Sequence, residues 1–391
     1  MKKLALITKI FLFLILGIGI GLICGVNNIQ FPIKILATFS GLFSNFLSFV
    51  IPLIIIGFIV PGIASLGSKS GKGLIITTII AYISTLLAGL LAYLIGSGLL
   101  PKLISGNVAL SKGGQTVEPY FNIEIPAIMG VMSALVLAFV LGIGLSKIKN
   151  SAMLKVAEEF NQIVLMIVTN VLIPLVPIYI GCVFAKLSYS GEIFNTLKSF
   201  GIVYVLLFAL QLTYICIQYC IAGAIKKQNP FKLIKNMVPA YMTAVGTQSS
   251  AATIPVTLQC VKKNDVNEEV LDFVVPLGAT IHLAGDTITL VLTSMAVMYM
   301  NGQTPTFGMI MPFIFMLGVT MVAAPGVPGG GVMAALGLLE SMLGFGAIEK
   351  PIMIALHAAQ DSFGTATNVT GDGAIAILVD YIINKKKGNS I

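Results

Sequence analysis

The 391-residue sequence contains no arginine; all 23 of its basic residues are lysines. A guanidinium fork, which holds a carboxylate by two parallel hydrogen bonds, is therefore available nowhere in the chain. Charge of either sign is scarce, at 10% of residues, where soluble domains carry roughly a quarter. With 57% hydrophobic residues and a mean hydropathy of +0.99, an ordinary soluble domain is excluded. Five cysteines (Cys24, Cys182, Cys216, Cys220 and Cys260) lie mostly in apolar runs without CxxC spacing. They read as small core residues, not metal ligands.

Apolar runs long enough to cross a bilayer as helix recur at 8–26, 34–66, 74–99, 126–146, 161–184, 198–224, 270–299 and 350–383. The pattern predicts a polytopic helical membrane protein. The start, MKK followed by an apolar run, imitates a signal peptide. It lacks a small-residue cleavage site and further spans follow at once, so a retained first helix is expected. Lysines 2, 3 and 9, then 69 and 72, then 147, 149 and 155 mark every second connection. Lysines 226, 227, 232 and 235, then 262 and 263, then 385–387 continue the alternation. Lysine excess marks the cytoplasmic side, so both termini are expected in the cytoplasm of a multi-pass cell-membrane protein. The net charge of +8 is then that bias itself and calls for no nucleic-acid partner. The polar stretch 101–124 is expected to be an extracellular loop.

The second half departs from plain spanning helix. The segment 230–263 is broken at its centre by GTQSSAATIP (246–255), and 305–345 by AAPGVPGGGV (323–332). Such breaks free backbone N–H and C=O groups, which lipid does not tolerate outside a buried or wet cavity. Two breaks entering from opposite faces point to an inverted repeat with a site near the midplane. Only 15 acids exist, and Asp286, Asp361 and Asp372 lie inside apolar spans, where ionisable groups mark function. Asp361, Thr365, Asn368 and Asp372 fall at i, i+4, i+7 and i+11, on one helical stripe. Both histidines are intramembrane as well. His282 and Asp286 stand at i and i+4 and could share a proton, and His357 precedes Asp361 by one turn.

These stretches, TQSSAATIP (247–255), PLGATIHLAGDT (276–287), GVPGGG (326–331) and DSFGTATNVTGD (361–372), resemble the dicarboxylate/amino acid:cation symporter family, the glutamate transporter homologues. The resemblance covers nearly the whole chain. It implies an all-α fold of eight transmembrane helices plus two re-entrant helical hairpins with inverted repeats, assembled as a homotrimer in the lipid bilayer. It further implies scaffold helices in 1–68 and 125–195, and a sliding transport unit from helix three (69–100) and 196–391, with the extracellular loop at 101–124.

The same resemblance assigns roles. Asp361 stands where the substrate α-amino group binds, and Thr365 and Asn368 where the backbone end of an amino acid is held. Ser249 and Ser250 match the tip that receives the α-carboxylate. Asp286, Val327, Gly331 and Gly364 match further substrate positions, and Gly326, Pro328, Gly329 and Gly330 the gate. Gly278, Thr280, His282, Asn368 and Asp372 match cation positions, with Asp372 the sodium ligand; no other cofactor is implied. A carboxylate with backbone carbonyls suits a hard cation.

Departures from the family carry the substrate reading. Carriers of acidic substrates have an arginine one residue before the matched threonine, where this chain has Gly364. Asp286 would repel a carboxylate further. The runs SSAAT, HLAG and DSxxT look most like the serine/threonine branch, so a small neutral amino acid is expected, with a dicarboxylate or acidic amino acid as the alternative. The family's NMDGT stretch is HLAGD here, and Thr78, Ala81 and Tyr82 stand where further ligands are usual. Fewer sodium ions, or protons carried by His282, Asp286 and His357, are the two coupling expectations. No symmetric filter suggests a channel, and no nucleophile elbow accompanies Ser249 or Ser250, so no enzyme activity is expected. The glycosylation pattern NVT at 368–370 falls inside a buried helix and is discounted.

Overall fold

A computed structural model describes residues 6–68, 72–104, 117–148, 151–191, 193–324 and 328–388, and the described residues contain helices and connections but no strand. Chain order gives α1 (Leu6–Val26), α2 (Phe31–Ser68), α3 (Lys72–Leu103), α4 (Val131–Lys147) and α5 (Ala152–Ile167). A π-helical turn at Val168–Leu172 joins α5 to α6 (Ile173–Tyr189), and α7 (Ile193–Lys226) follows. Then come α8 (Pro230–Thr247), α9 (Ser250–Lys262), α10 (Glu268–Ile281) and α11 (Ala284–Met300). The chain closes with α12 (Phe307–Val322), α13 (Gly330–Leu343) and α14 (Glu349–Gly388). Among the described residues seven helical segments are long and apolar enough to cross a membrane, and α4 is a shorter apolar helix of 17 residues.

Local chemistry explains the boundaries. Asn229 and Asn267 cap α8 and α10 by accepting the N–H of Phe231 (2.9 Å) and of Glu269 (2.8 Å). Pro230 sits where its missing N–H does no harm, and Glu268 and Glu269 complement the positive end of α10. The two broken segments are helical hairpins. In the first, α8 ends on Gln248 at φ 53°, a left-handed conformation unusual for a residue with a side chain, and Ser249 starts α9. In the second, Gly329 takes φ 76° just before α13, which only glycine adopts freely.

The helices pack as two groups. In one, α1 lies along α6, and α2 packs on α4, α5 and α6. Gly17 and Gly21 let α1 and α6 meet backbone to backbone: a Cβ on Gly17 would lie 2.1 Å from Gly181 O, and one on Gly21 2.2 Å from Ala185 O. Small residues four apart are what close helix approach in a membrane needs. In the other group, α14 packs against α7, α8, α10 and α11, and α11 against α3. The groups touch where α2 meets α12 and α13, and also where α4 meets α13, α6 meets α7 and α14, and α1 meets α14. Both α11 and the middle of α14 are buried almost throughout, so their polar residues face protein, not lipid.

Candidate functional site

The site grows from a break that sequence reasoning did not expect. Helix α10 stops at Ile281, His282 and Leu283 take extended and irregular backbone, and α11 starts at Ala284. Asn368 of α14 fills the gap. Its Oδ1 accepts the N–H of Gly285 at 2.7 Å, and its Nδ2 donates to Asp286 Oδ2 at 2.6 Å. The two partners fix which end of the amide is which. Gly285 permits the crossing, since a Cβ there would lie 2.3 Å from Gly364 O. Gly364 itself has ordinary room: a Cβ would meet Gly285 C at 3.7 Å and Asp286 Oδ1 at 3.9 Å.

Two buried histidine–aspartate pairs flank this crossing, and they are not the pairing that sequence spacing suggested. His357 Nε2 lies 2.7 Å from Asp286 Oδ1, and His282 Nδ1 lies 3.0 Å from Asp372 Oδ1. His282 and Asp286 therefore do not share a proton. The i, i+4 relation holds only along one continuous helix, and the break after Ile281 turns the two side chains apart.

Asp361 completes the first cluster. Its Oδ2 accepts the N–H of Gly329 at 2.8 Å, tying α14 to the tip of the second hairpin. One ligand atom each from Asp286, His357 and Asp361 lies within 4.8 Å of the others. A small cavity beside them is lined by Gln248, Ser250, Asp286, Gly331, Asp361, Thr365 and Asn368, among others. Gly331 closes tightly, since a Cβ there would lie 2.9 Å from Asp286 Oδ1 and 3.2 Å from His357 Nε2. At the first hairpin, Ser249 Oγ accepts the N–H of Ala252 at 3.3 Å, and Gln248 Nε2 donates to Ser362 Oγ at 2.9 Å. Both hairpin tips thus converge on the Asp361 stripe. Gly326 and Val327 lie outside the described residues; Pro328 and Gly330 flank Gly329 at the second tip.

The second cluster surrounds Asp372 and brings in residues the sequence had not singled out. His282 Nε2 lies 3.0 Å from Ser84 Oγ, which also accepts from Gln218 Nε2 at 3.0 Å and lies 2.9 Å from Tyr214 Oη. Tyr214 Oη donates to Ser84 O. A Cβ on Gly278 would lie 2.7 Å from Asp372 Oδ1, so that oxygen packs on the α10 backbone. Three of the expected cation positions make hydrogen bonds within the protein. Both ring nitrogens of His282 are engaged, and a ring nitrogen is a poor ligand for a hard cation. Gly278 O accepts the His282 N–H at 2.9 Å. Thr280 is exposed and its hydroxyl donates to Leu277 O at 2.8 Å. Of the third-span positions, Thr78 hydrogen-bonds its own helix and Tyr82 reaches Phe315 O on α12, whereas Ser84 reaches the cluster. Gln211, Tyr214 and Gln218 recur at i, i+3 and i+7 on one face of α7, a periodic signal that could have pointed to Tyr214 and Gln218; Ser84 reaches the cluster from a different helix, α3.

Apolar spans around a buried polar centre, closed by two helical hairpins, define a multi-pass membrane protein with an enclosed polar site. The chain belongs to the sodium:dicarboxylate symporter family, whose model matches residues 6–382. It is 31% identical over 160 residues to excitatory amino acid transporter 1 of Ambystoma tigrinum, covering 41% of this chain and 29% of that protein. It is 25% identical over 288 residues to an excitatory amino acid transporter of Caenorhabditis elegans, covering 71% of this chain and 57% of the relative. It is also 29% identical over 165 residues to human neutral amino acid transporter A, covering 41% and 31% of the two chains. The matches thus span less than two thirds of each relative.

Proposed function

We propose that the protein is a secondary active symporter that takes up a small neutral amino acid of the serine, threonine or alanine type. The observation that carries this reading is the charge of the cavity. Among the described residues its lining holds two carboxylates, Asp286 and Asp361, and no cation, and the chain contains no arginine. Asp361 suits an α-amino group. The serine-bearing first tip and Thr365 suit an α-carboxylate, and nothing in the lining suits a second one. An acidic or dicarboxylate substrate would bring its second carboxylate beside Asp286, whose one basic partner, His357, is already engaged by it at 2.7 Å.

In this reading the chain crosses the membrane eight times, counting α5 with α6 and α10 with α11 as single spans, and carries two re-entrant hairpins. Both termini are cytoplasmic, and three copies assemble through the group of α1, α2 and α4–α6. The group of α3 and α7–α14 moves as an elevator. The second hairpin, with Gly326 and Pro328–Gly330 at its tip, closes only when the buried carboxylates are neutralised, because an uncompensated buried charge is expensive. Sodium at Asp372 is the coupling expectation carried by the family. The two buried histidine–aspartate pairs favour a second reading, in which protons at His282–Asp372 and His357–Asp286 do the coupling.

Uptake of labelled serine into proteoliposomes tests these readings. Uptake driven by a sodium gradient, and competed by threonine and alanine but not by aspartate or succinate, is expected. Uptake driven by a proton gradient alone would transfer the coupling to the histidine pairs. Binding of aspartate or succinate in place of serine would overturn the substrate reading.

A further inference from the structure

The Asp286 carboxylate presents a difficulty to the function proposed above. It lines the cavity next to Asp361, so the site holds two negative charges while a zwitterionic substrate brings one positive group. A neutral side chain leaves the second carboxylate uncompensated inside protein, which is strongly unfavourable. Asn368 contributes a hydrogen bond to Asp286 but no charge.

His357 stands behind Asp286, outside the cavity lining. Its Nε2 contact with Asp286 is the ring's only side-chain hydrogen bond among the described residues, and its Nδ1 has no partner among them. The ring is 1% exposed. The carboxylates facing it are Asp286 and Asp361. The next cation along α14, Lys350, is two turns away and held by Glu340 at 2.9 Å and Ser48 at 3.1 Å. Gly331 seals the pair from the second hairpin, where no side chain would fit.

We propose that His357 is the specificity-determining residue of the site, fixing its preference for neutral side chains by supplying the positive charge that cancels Asp286. It acts through Asp286 and does not touch the substrate. The inference rests on the reading of the cavity as an amino acid site, and it makes the substrate class a property of a charge pair instead of the missing arginine alone. Removing one member of the pair should invert the preference, and removing both should restore it.

The test is competition against labelled serine on the purified full chain in lipid nanodiscs, with 2,4-diaminobutyrate, aspartate and threonine as competitors. His357→Gln keeps a donor to Asp286 without its charge. The ratio of diaminobutyrate to serine affinity should rise about a hundredfold, the order expected for one uncompensated buried charge. Asp286→Asn leaves the imidazole without its acid, and the ratio should move towards aspartate. The double variant should again prefer serine and threonine over both charged competitors. A proportional loss of all four ligands in each single variant would overturn the proposal, as would an inverted or absent preference in the double variant. Should a single variant fail to fold, the double variant decides alone by the same criterion. A wild-type protein that binds no serine would instead overturn the substrate reading.

Discussion

Asp361 shows what one buried charge does in this fold. Its Oδ2 takes the N–H of Gly329 at 2.8 Å, so Asp361→Asn keeps the shape, and Asn Oδ1 can keep that bond. What it loses is the charge that attracts an α-amino group. Serine uptake in proteoliposomes should fall by at least about a hundredfold, while the protein still assembles and keeps its helical content. Undiminished uptake would place the amino group elsewhere. Gly364→Arg tests the opposite change. The backbone accepts a Cβ there at ordinary distances, and Asp286 Oδ1 is its nearest charged neighbour, 3.9 Å away. The new guanidinium should pair with Asp286 and lower serine affinity by about tenfold or more. Combined with Asp286→Asn, it should let aspartate compete for binding. The polar stripe of α14 was legible in sequence because it lies on one unbroken helix. The partners of His282 and His357 were not, because the break after Ile281 cancels the helical spacing on which that inference depended.

At the scale of elements, the two hairpins were legible because serine, glycine and proline cluster where each chain must turn inside an apolar segment. The α10–α11 break was not. Its two non-helical residues are His282 and Leu283, and Asn368 stabilises it from another helix. The contact of α1 with α6 rests on Gly17 and Gly21, a small-residue spacing visible in sequence, but the sequence did not say which helix they meet. Gly21→Leu would drive a side chain into the Ala185 carbonyl, where a Cβ already lies at 2.2 Å. No rotamer relieves a clash with backbone, so α1 must separate from α6. A loss of about 1–3 kcal/mol is expected, read as a lower thermal midpoint of the purified protein. Gly19→Leu is the control, because a Cβ at Gly19 meets nothing within 4 Å. Equal loss in both variants would mean that helix propensity, not the α1–α6 contact, sets the effect.

For the whole molecule, alternating lysines gave an expectation for which loops face the cytoplasm, but nothing in composition states which helices move together. The structure packs α1, α2 and α4–α6 as one group and α3 with α7–α14 as another, and the elevator reading requires the second to slide along the first. Their boundary supplies a test. Gly62 on α2 faces Ala323 at the end of α12, and a Cβ on Gly62 would lie 3.0 Å from Ala323 Cβ. That is about half an ångström short of the roughly 3.5–4.5 Å Cβ separation of a disulfide, so a small outward shift of either helix would seat the bond. The test combines Gly62→Cys and Ala323→Cys with serine at Cys216 and Cys220, the exposed native thiols. Mild oxidation should stop serine uptake in this variant, and a reductant should restore it. Serine binding in detergent should survive oxidation, because the cross-link lies at the boundary between the groups and not among the residues lining the cavity. Continued uptake by the fully cross-linked protein would mean that α2 and the second hairpin do not move apart during transport, and the elevator reading would have to be abandoned.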